Sequence, residues 1–192
     1  MTINEYQKLA QRTCAIAQDR RDKLLNGCMG LIGETGEVVD ALKKWRFQSG
    51  ENPPFPSEKI VEECGDVLWY IAEVCSALGM PMSKLISSDE RMDMNQFPEF
   101  SLSAHPIFDA IRHSITMVRL ATEIENLSFA FLYGNIAPAS IRRCAHGLLM
   151  NLCVLCAYAG YSLEEAAEKN IEKLKKRYPE GFDPERSLHR EN

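Results

Sequence analysis

Four acidic residues have the types and spacings that metal chemistry needs: Glu34 with Glu37, and Glu63 with Asp66. Residues three apart on a helix share a face, so each pair sets two carboxylates side by side. Like charges held that close raise one another's affinity for protons, and a cation between them relieves the repulsion. Solvated surface charge is the ordinary reading of helical glutamates. Here the neighbours favour a metal site. Leu31, Gly33, Val38 and Ala41 lie one turn from the first pair, and Ile60, Val67, Trp69 and Tyr70 surround the second. The acids therefore stand on or beside apolar faces, where unpaired charge is costly.

An all-carboxylate set suits a hard cation, Mg²⁺ with Mn²⁺ as a substitute, whereas zinc recruits His or Cys. A di-iron bundle typically uses Glu-x-x-His on two helices, and no Glu here has His at that spacing. Mg²⁺ keeps several waters and shares its shell with phosphates, so the substrate expected is a phosphorylated one. Gly27, Gly30, Gly33 and Gly36 recur every third residue around the first pair, although each Gly costs about 1 kcal/mol relative to Ala inside a helix. Close helix packing and near approach of substrate to the backbone both account for them.

The elements that must position these residues are helices. Thr2 with Glu5, and Ser162 with Glu165, match the capping box that starts a helix. Apolar periodicity predicts helices over 3–20, 22–48, 57–79, 106–129, 138–160 and 163–177. The breaks at Gly50-Glu51-Asn52-Pro53-Pro54, Gly79-Met80-Pro81 and Tyr178-Pro179 punctuate them, and no stretch alternates with period two. The fold class expected is all-α.

The 192 residues suit one large domain or two small ones. The net charge of -5 argues against nucleic-acid binding, which draws its affinity from Lys and Arg on phosphates. No basic segment followed by an apolar one opens the chain, which leads to an expectation of a cytoplasmic protein without a membrane partner. The apolar stretch from Leu148 to Tyr161 is interrupted by Asn151 and is shorter than the roughly 20 residues needed to span a bilayer, so it reads as a core helix. Seven cysteines, most within apolar patterns, read as reduced thiols. Cys153-x-x-Cys156 has no second pair at zinc spacing and reads as structural.

Laying residues 66–99 on 147–180 matches Leu68 with Leu149, Cys75 with Cys156, Gly79 with Gly160, and Phe97-Pro98-Glu99 with Tyr178-Pro179-Glu180. Each copy runs long apolar helix, Gly stop, short helix, aromatic-Pro-Glu. This predicts two fused copies of one helical unit, residues 1–100 and 101–192, packed as a dimer would be. One domain with a long insertion is the alternative.

The segments Gly30-Leu31-Ile32-Gly33-Glu34-Thr35-Gly36-Glu37-Val38-Val39-Asp40 and Glu62-Glu63-Cys64-Gly65-Asp66-Val67-Leu68-Trp69-Tyr70 resemble the MazG-type all-α nucleoside triphosphate pyrophosphohydrolases, whose signature is E-x-x-E, a spacer, then E-x-x-D. The ending from Glu168 to Phe182 is similar to the tail of small MazG-like proteins. The resemblance implies a bundle that dimerises or tetramerises, binds Mg²⁺ and hydrolyses a nucleoside triphosphate to monophosphate and pyrophosphate. Carried over, it makes Glu34, Glu37, Glu63 and Asp66 metal ligands. It gives Tyr70 a nucleotide contact, and Lys44, Asn170, Lys173 and Arg177 phosphate or sugar contacts. A solvated basic helix explains the last group equally well, since Glu164, Glu165, Glu168 and Glu172 intersperse it. The chemistry implied is attack of water on phosphorus with one carboxylate taking the proton, and Glu34 and Glu37 are the candidates for that base.

In the second copy Cys144 stands where Glu63 does and Gly147 where Asp66 does, with Thr122 and Glu125 at the places of Glu34 and Glu37. That copy is expected to be degenerate, giving one site per chain, whether as a pseudo-dimeric monomer or within a homodimer. Rival readings are a deoxynucleotide-specific enzyme of the dimeric dUTPase or dCTP pyrophosphatase type, with Trp45 and Trp69 near the base, a non-catalytic nucleotide or metal sensor, and a purely structural helical protein.

Overall fold

In a computed structural model of the chain, the structure describes residues 1–14, 19–86, 94 and 106–183. They form six α-helices and no strand: α1 (Ile3–Ala10), α2 (Arg20–Gln48), α3 (Ser57–Ala77), α4 (Pro106–Leu132), α5 (Pro138–Tyr158) and α6 (Leu163–Arg177). Short 3₁₀ turns follow α1 at Gln11–Thr13 and α3 at Met82–Leu85. Both capping boxes form. The Thr2 hydroxyl accepts from the Glu5 N–H at 3.2 Å while the Glu5 carboxylate accepts from the Thr2 N–H at 2.7 Å. Ser162 and Glu165 repeat the exchange at 3.1 and 2.7 Å.

The first helix is shorter than the 3–20 its periodicity predicts. The indole N–H of Trp69 donates to the Ala10 carbonyl at 3.0 Å and to the Thr13 hydroxyl at 3.0 Å, and Cys14 is extended. A tertiary hydrogen bond thus takes the carbonyl that a continuing helix would use.

Helix α2 folds back against α3, and α4 against α5; α2 then packs on α4 and α3 on α5, giving a four-helix core. Helix α3 is the most enclosed element, with Ile60, Cys64, Val67, Leu68, Ile71 and Cys75 at most 1% exposed, because α1 and α6 also pack on it. Truncating one such side chain, Leu68→Ala for example, is expected to cost about 2–5 kcal/mol. Cys153 and Cys156 are buried among these residues, as free thiols. No single described helix is long and apolar enough to cross a membrane.

The glycines set how closely α2 and α3 approach. A Cβ on Gly27 would lie 2.8 Å from the Val74 side chain, and one on Gly30 would lie 2.0 Å from the Tyr70 ring. Asn26 meets Glu73, and Glu34 meets Asp66. As the α2 number rises the α3 number falls in step, so the helices run antiparallel in one fixed register. Gly33 and Gly36 face open space instead. Close packing therefore accounts for the first two glycines, while the backbone at the last two is open to approach from outside.

The ends of α3 and α5 share one geometry 81 residues apart. Gly79 and Gly160 have φ of 66° and 80°, the left-handed conformation that closes a helix. Met80 donates to the Cys75 carbonyl at 2.8 Å, and Tyr161 to that of Cys156 at 2.9 Å. The element following each stop crosses over, the 3₁₀ turn onto α5 and α6 onto α3. Phe97-Pro98-Glu99, the last match of the repeat, lies outside the described residues.

Candidate metal and nucleotide site

Glu34 on α2 and Glu63 and Asp66 on α3 each offer a carboxylate oxygen within 4.8 Å of the others. The register of α2 on α3 brings them together, and the i, i+3 spacing of Glu63 and Asp66 keeps both on the side that meets α2. Glu63 is buried, and Glu34 and Asp66 are half-buried. Glu37 stands apart. It is exposed, outside the trio, one turn further along α2. The spacing of 34 and 37 puts both on one side of α2, but only Glu34 reaches the crossing.

Burial, followed by the charges of Asp66 and Glu63, pushes the Glu34 carboxyl up to about 7, although Lys173 opposes the rise. Burial also raises Glu63, against the pull of Lys59. With Glu34 and Glu63 both resisting ionisation, a trio made only of oxygen donors is the set a hard divalent cation fits. Among the described residues no His or Cys joins such a group.

Asp66 is held from α6. The Asn170 amide donates to Asp66 Oδ1 at 2.9 Å, and Lys173 donates to the same oxygen at 2.6 Å. Asn170 is 3% exposed, and its carbonyl accepts from the buried Tyr6 hydroxyl at 3.0 Å. Gly65 makes this approach feasible, since a Cβ there would sit 2.9 Å from that of Asn170 and 3.0 Å from the Ala166 carbonyl. Tyr6 and Lys59 are the residues the functional reading missed. For Lys59 the signal was its i, i+4 spacing to Glu63, with which it pairs.

Two hollows connect to the acids through residues that bond them, Lys59 to Glu63 and Lys173 and Asn170 to Asp66, and none of the trio lines either hollow. One, of about 500 Å³, is lined by Glu37, Lys44, Trp45, Phe55 and Lys59 among others, with Trp45 and Phe55 edge to face at 5.0 Å. The other, of about 450 Å³, is lined by Glu58, Lys59, Glu62, Lys169, Asn170 and Lys173. Of the substrate residues the resemblance implies, Lys44 opens on the first hollow, where it pairs with Asp40 at 2.6 Å, and Asn170 and Lys173 open on the second. Tyr70 packs on Gly30 and Trp69, and Arg177 is exposed at the end of α6 and lines neither hollow.

This all-α fold with a carboxylate trio at a helix crossing is where comparison with known proteins bears. Residues 25–87 match the family model of the MazG nucleotide pyrophosphohydrolase domain, a segment that contains all four acids. The gene 37 protein of Mycobacterium phage L5 is 36% identical over 56 residues, 29% of this chain and 49% of that protein. The chain thus spans about half the length of the curated relative it matches. No solved structure matches it. Over residues 25–87 the chain is MazG-like, and its helical fold agrees with that family's.

Proposed function

We propose that the chain is a Mg²⁺-dependent nucleoside triphosphate pyrophosphohydrolase releasing nucleoside monophosphate and pyrophosphate. The observation that carries this reading is the convergence of Glu34, Glu63 and Asp66, with Lys59, paired to Glu63, lining both an aromatic hollow and one of mixed lysines and glutamates. The first suits a nucleoside and the second a polyphosphate. Bound there, Mg²⁺ or Mn²⁺ would neutralise charge developing on the phosphates and activate water.

Glu34, Glu63 and Asp66 would hold the cation. Asn170, backed by Tyr6, fixes the Asp66 carboxylate, and Lys173 takes phosphate oxygens. Glu37 is the better placed general base of the two candidates, because it lies outside the trio and keeps a carboxylate for the proton. Trp45 and Phe55 offer faces to the base, and Lys44 a cation at the mouth of the same hollow. Tyr70 acts by filling the space over Gly30, which sets the helix spacing on which the trio depends.

The matched helix stops and the reciprocal crossing of the following elements support two fused copies, residues 1–100 and 101–192, of which the second is degenerate. There a Cβ on Gly147 would lie 3.3 Å from the Leu120 side chain, and the Thr122 hydroxyl bonds its own helix at the Val118 carbonyl. The chain would then be a pseudo-dimeric monomer with one centre. The test of the activity is pyrophosphate release from ordinary, deoxy and modified triphosphates, with and without Mg²⁺. Release confined to deoxynucleotides would assign the dUTPase or dCTP pyrophosphatase type. Nucleotide binding without release would overturn the enzyme reading.

A further inference from the structure

Two ammonium groups occupy the acids. Lys173 bonds Asp66 and lies 3.5 Å from Glu62 Oε1. Lys59, one turn before Glu63, pairs with Glu63 Oε1 and lies 3.9 Å from Glu62 Oε2. The partners differ in freedom. The Glu63 side chain is 6% exposed, whereas that of Lys59 is 55% exposed. Lys59 also lines both hollows, so it stands where the nucleoside end and the polyphosphate end of a bound substrate would meet.

Resting on the metal reading above, we infer that Lys59 is a phosphate-binding residue stored on Glu63, holding that carboxylate until a divalent cation takes it and then turning to the polyphosphate. An ammonium resting against Glu63 Oε1 competes with a cation for that oxygen, because positive charges a few ångströms apart repel. Lysine suits the exchange. It carries a point charge on a flexible stem with three rotatable donors, and re-aiming it breaks no bidentate fork. The destination holds Lys169 and Lys173, balanced by Glu58 and Glu62, so the turn of Lys59 is what would give that hollow its excess positive charge. The buried acid is thus never left with an uncompensated charge, in either state. Lys173 is more confined, at 25% exposed and beside Asn170 on the same carboxylate, so Lys59 has the larger swing.

Calorimetry with Mn²⁺ alone, then with inorganic pyrophosphate in the presence of Mn²⁺, tests this on the intact chain. The neutral variant Lys59→Met is expected to bind Mn²⁺ about three- to tenfold more tightly than the unaltered protein, because the competing charge is gone. It is expected to bind pyrophosphate more weakly by a similar factor. Unchanged or weaker Mn²⁺ binding by Lys59→Met, or unchanged pyrophosphate binding, would overturn the inference while leaving the metal site standing. If the unaltered protein takes up no Mn²⁺ and matches Asp66→Asn in this, the metal reading fails first. Lys59→Gln repeats the comparison if Lys59→Met loses its cooperative melting transition.

Discussion

Asn170 donates to Asp66 at 2.9 Å while its other amide atom accepts from Tyr6 at 3.0 Å. Three elements distant in sequence, α1, α3 and α6, are therefore linked through one side-chain amide. Burial, with the charge of Asp66 adding to it, raises the Tyr6 phenol well above its ordinary range, so the hydroxyl remains a donor. The chain of bonds fixes which way Asp66 faces before any ligand arrives.

Breaking it at either end should loosen the centre without removing a ligand. Asn170→Ala leaves buried polar groups unpaired and is expected to destabilise the fold by about 1–3 kcal/mol. Tyr6→Phe keeps the ring and is expected to cost about 1 kcal/mol. Both should lower Mn²⁺ affinity by about 10-fold or more, in line with other residues that orient metal ligands. Denaturant titration and calorimetry check the two effects, and full Mn²⁺ affinity in Asn170→Ala would show that Asp66 needs no such support.

Gly30 and Gly33 are one turn apart on α2 and should respond oppositely to alanine. A methyl on Gly30 meets the Tyr70 ring at 2.0 Å, so Gly30→Ala forces the helices apart and is expected to destabilise by about 1–3 kcal/mol. Gly33 has nothing within 4 Å, and Gly33→Ala is expected to stabilise by about 0.5–1 kcal/mol through helix propensity. Melting temperatures of the two variants decide this, and a shared direction of shift would refute the assigned packing.

Glu73 is fully buried. Its Oε1 accepts from Asn26 at 3.0 Å and from the Cys14 thiol at 3.5 Å, while Oε2 has no partner. Burial raises its pKa above the ordinary 4.5, against those hydrogen bonds. The folded protein then keeps a proton that the unfolded chain releases, so this residue's contribution to stability falls as pH climbs above 4.5. Glu73→Gln removes that dependence. Its melting temperature is expected to gain on that of the unaltered protein as pH rises from 4.5, levelling off once the folded carboxyl has ionised, and a gap that stays constant across pH would contradict the protonated carboxyl.

The sequence made some of this legible and concealed the rest for physical reasons. Apolar periodicity located α2 to α6 to within a few residues because each buries one broad face. It overran α1 because the Ala10 carbonyl is taken by Trp69, 59 positions away. Spacing could show that Glu34 and Glu37 share a side of their helix, but the crossing of α2 on α3 decides that only Glu34 meets Glu63 and Asp66. Likewise Asn170 read as a substrate contact, because nothing in a basic helix reveals that both ends of its amide are already engaged. Lys59 was readable only as one half of a local ion pair, since the hollows it joins exist only in three dimensions.

The different placing of Glu37 and Asp66 gives the last prediction. Asp66 is held within the trio, so Asp66→Asn weakens the ligand set and is expected to lose both Mn²⁺ binding and turnover. Glu37 lies one turn outside, so Glu37→Gln should leave Mn²⁺ binding within about twofold of the unaltered protein while turnover falls by about 100-fold or more, the loss typical of a missing general base. Both substitutions are isosteric at half-buried or exposed positions, so both variants should melt cooperatively. Calorimetry alongside pyrophosphate release separates the two roles. If Glu37→Gln lost Mn²⁺ along with turnover, Glu37 would be a ligand that closes onto the trio, and the proton would have to pass to Glu34. If it kept full turnover, the base would be Glu34 with Glu37 a bystander at the mouth of the aromatic hollow.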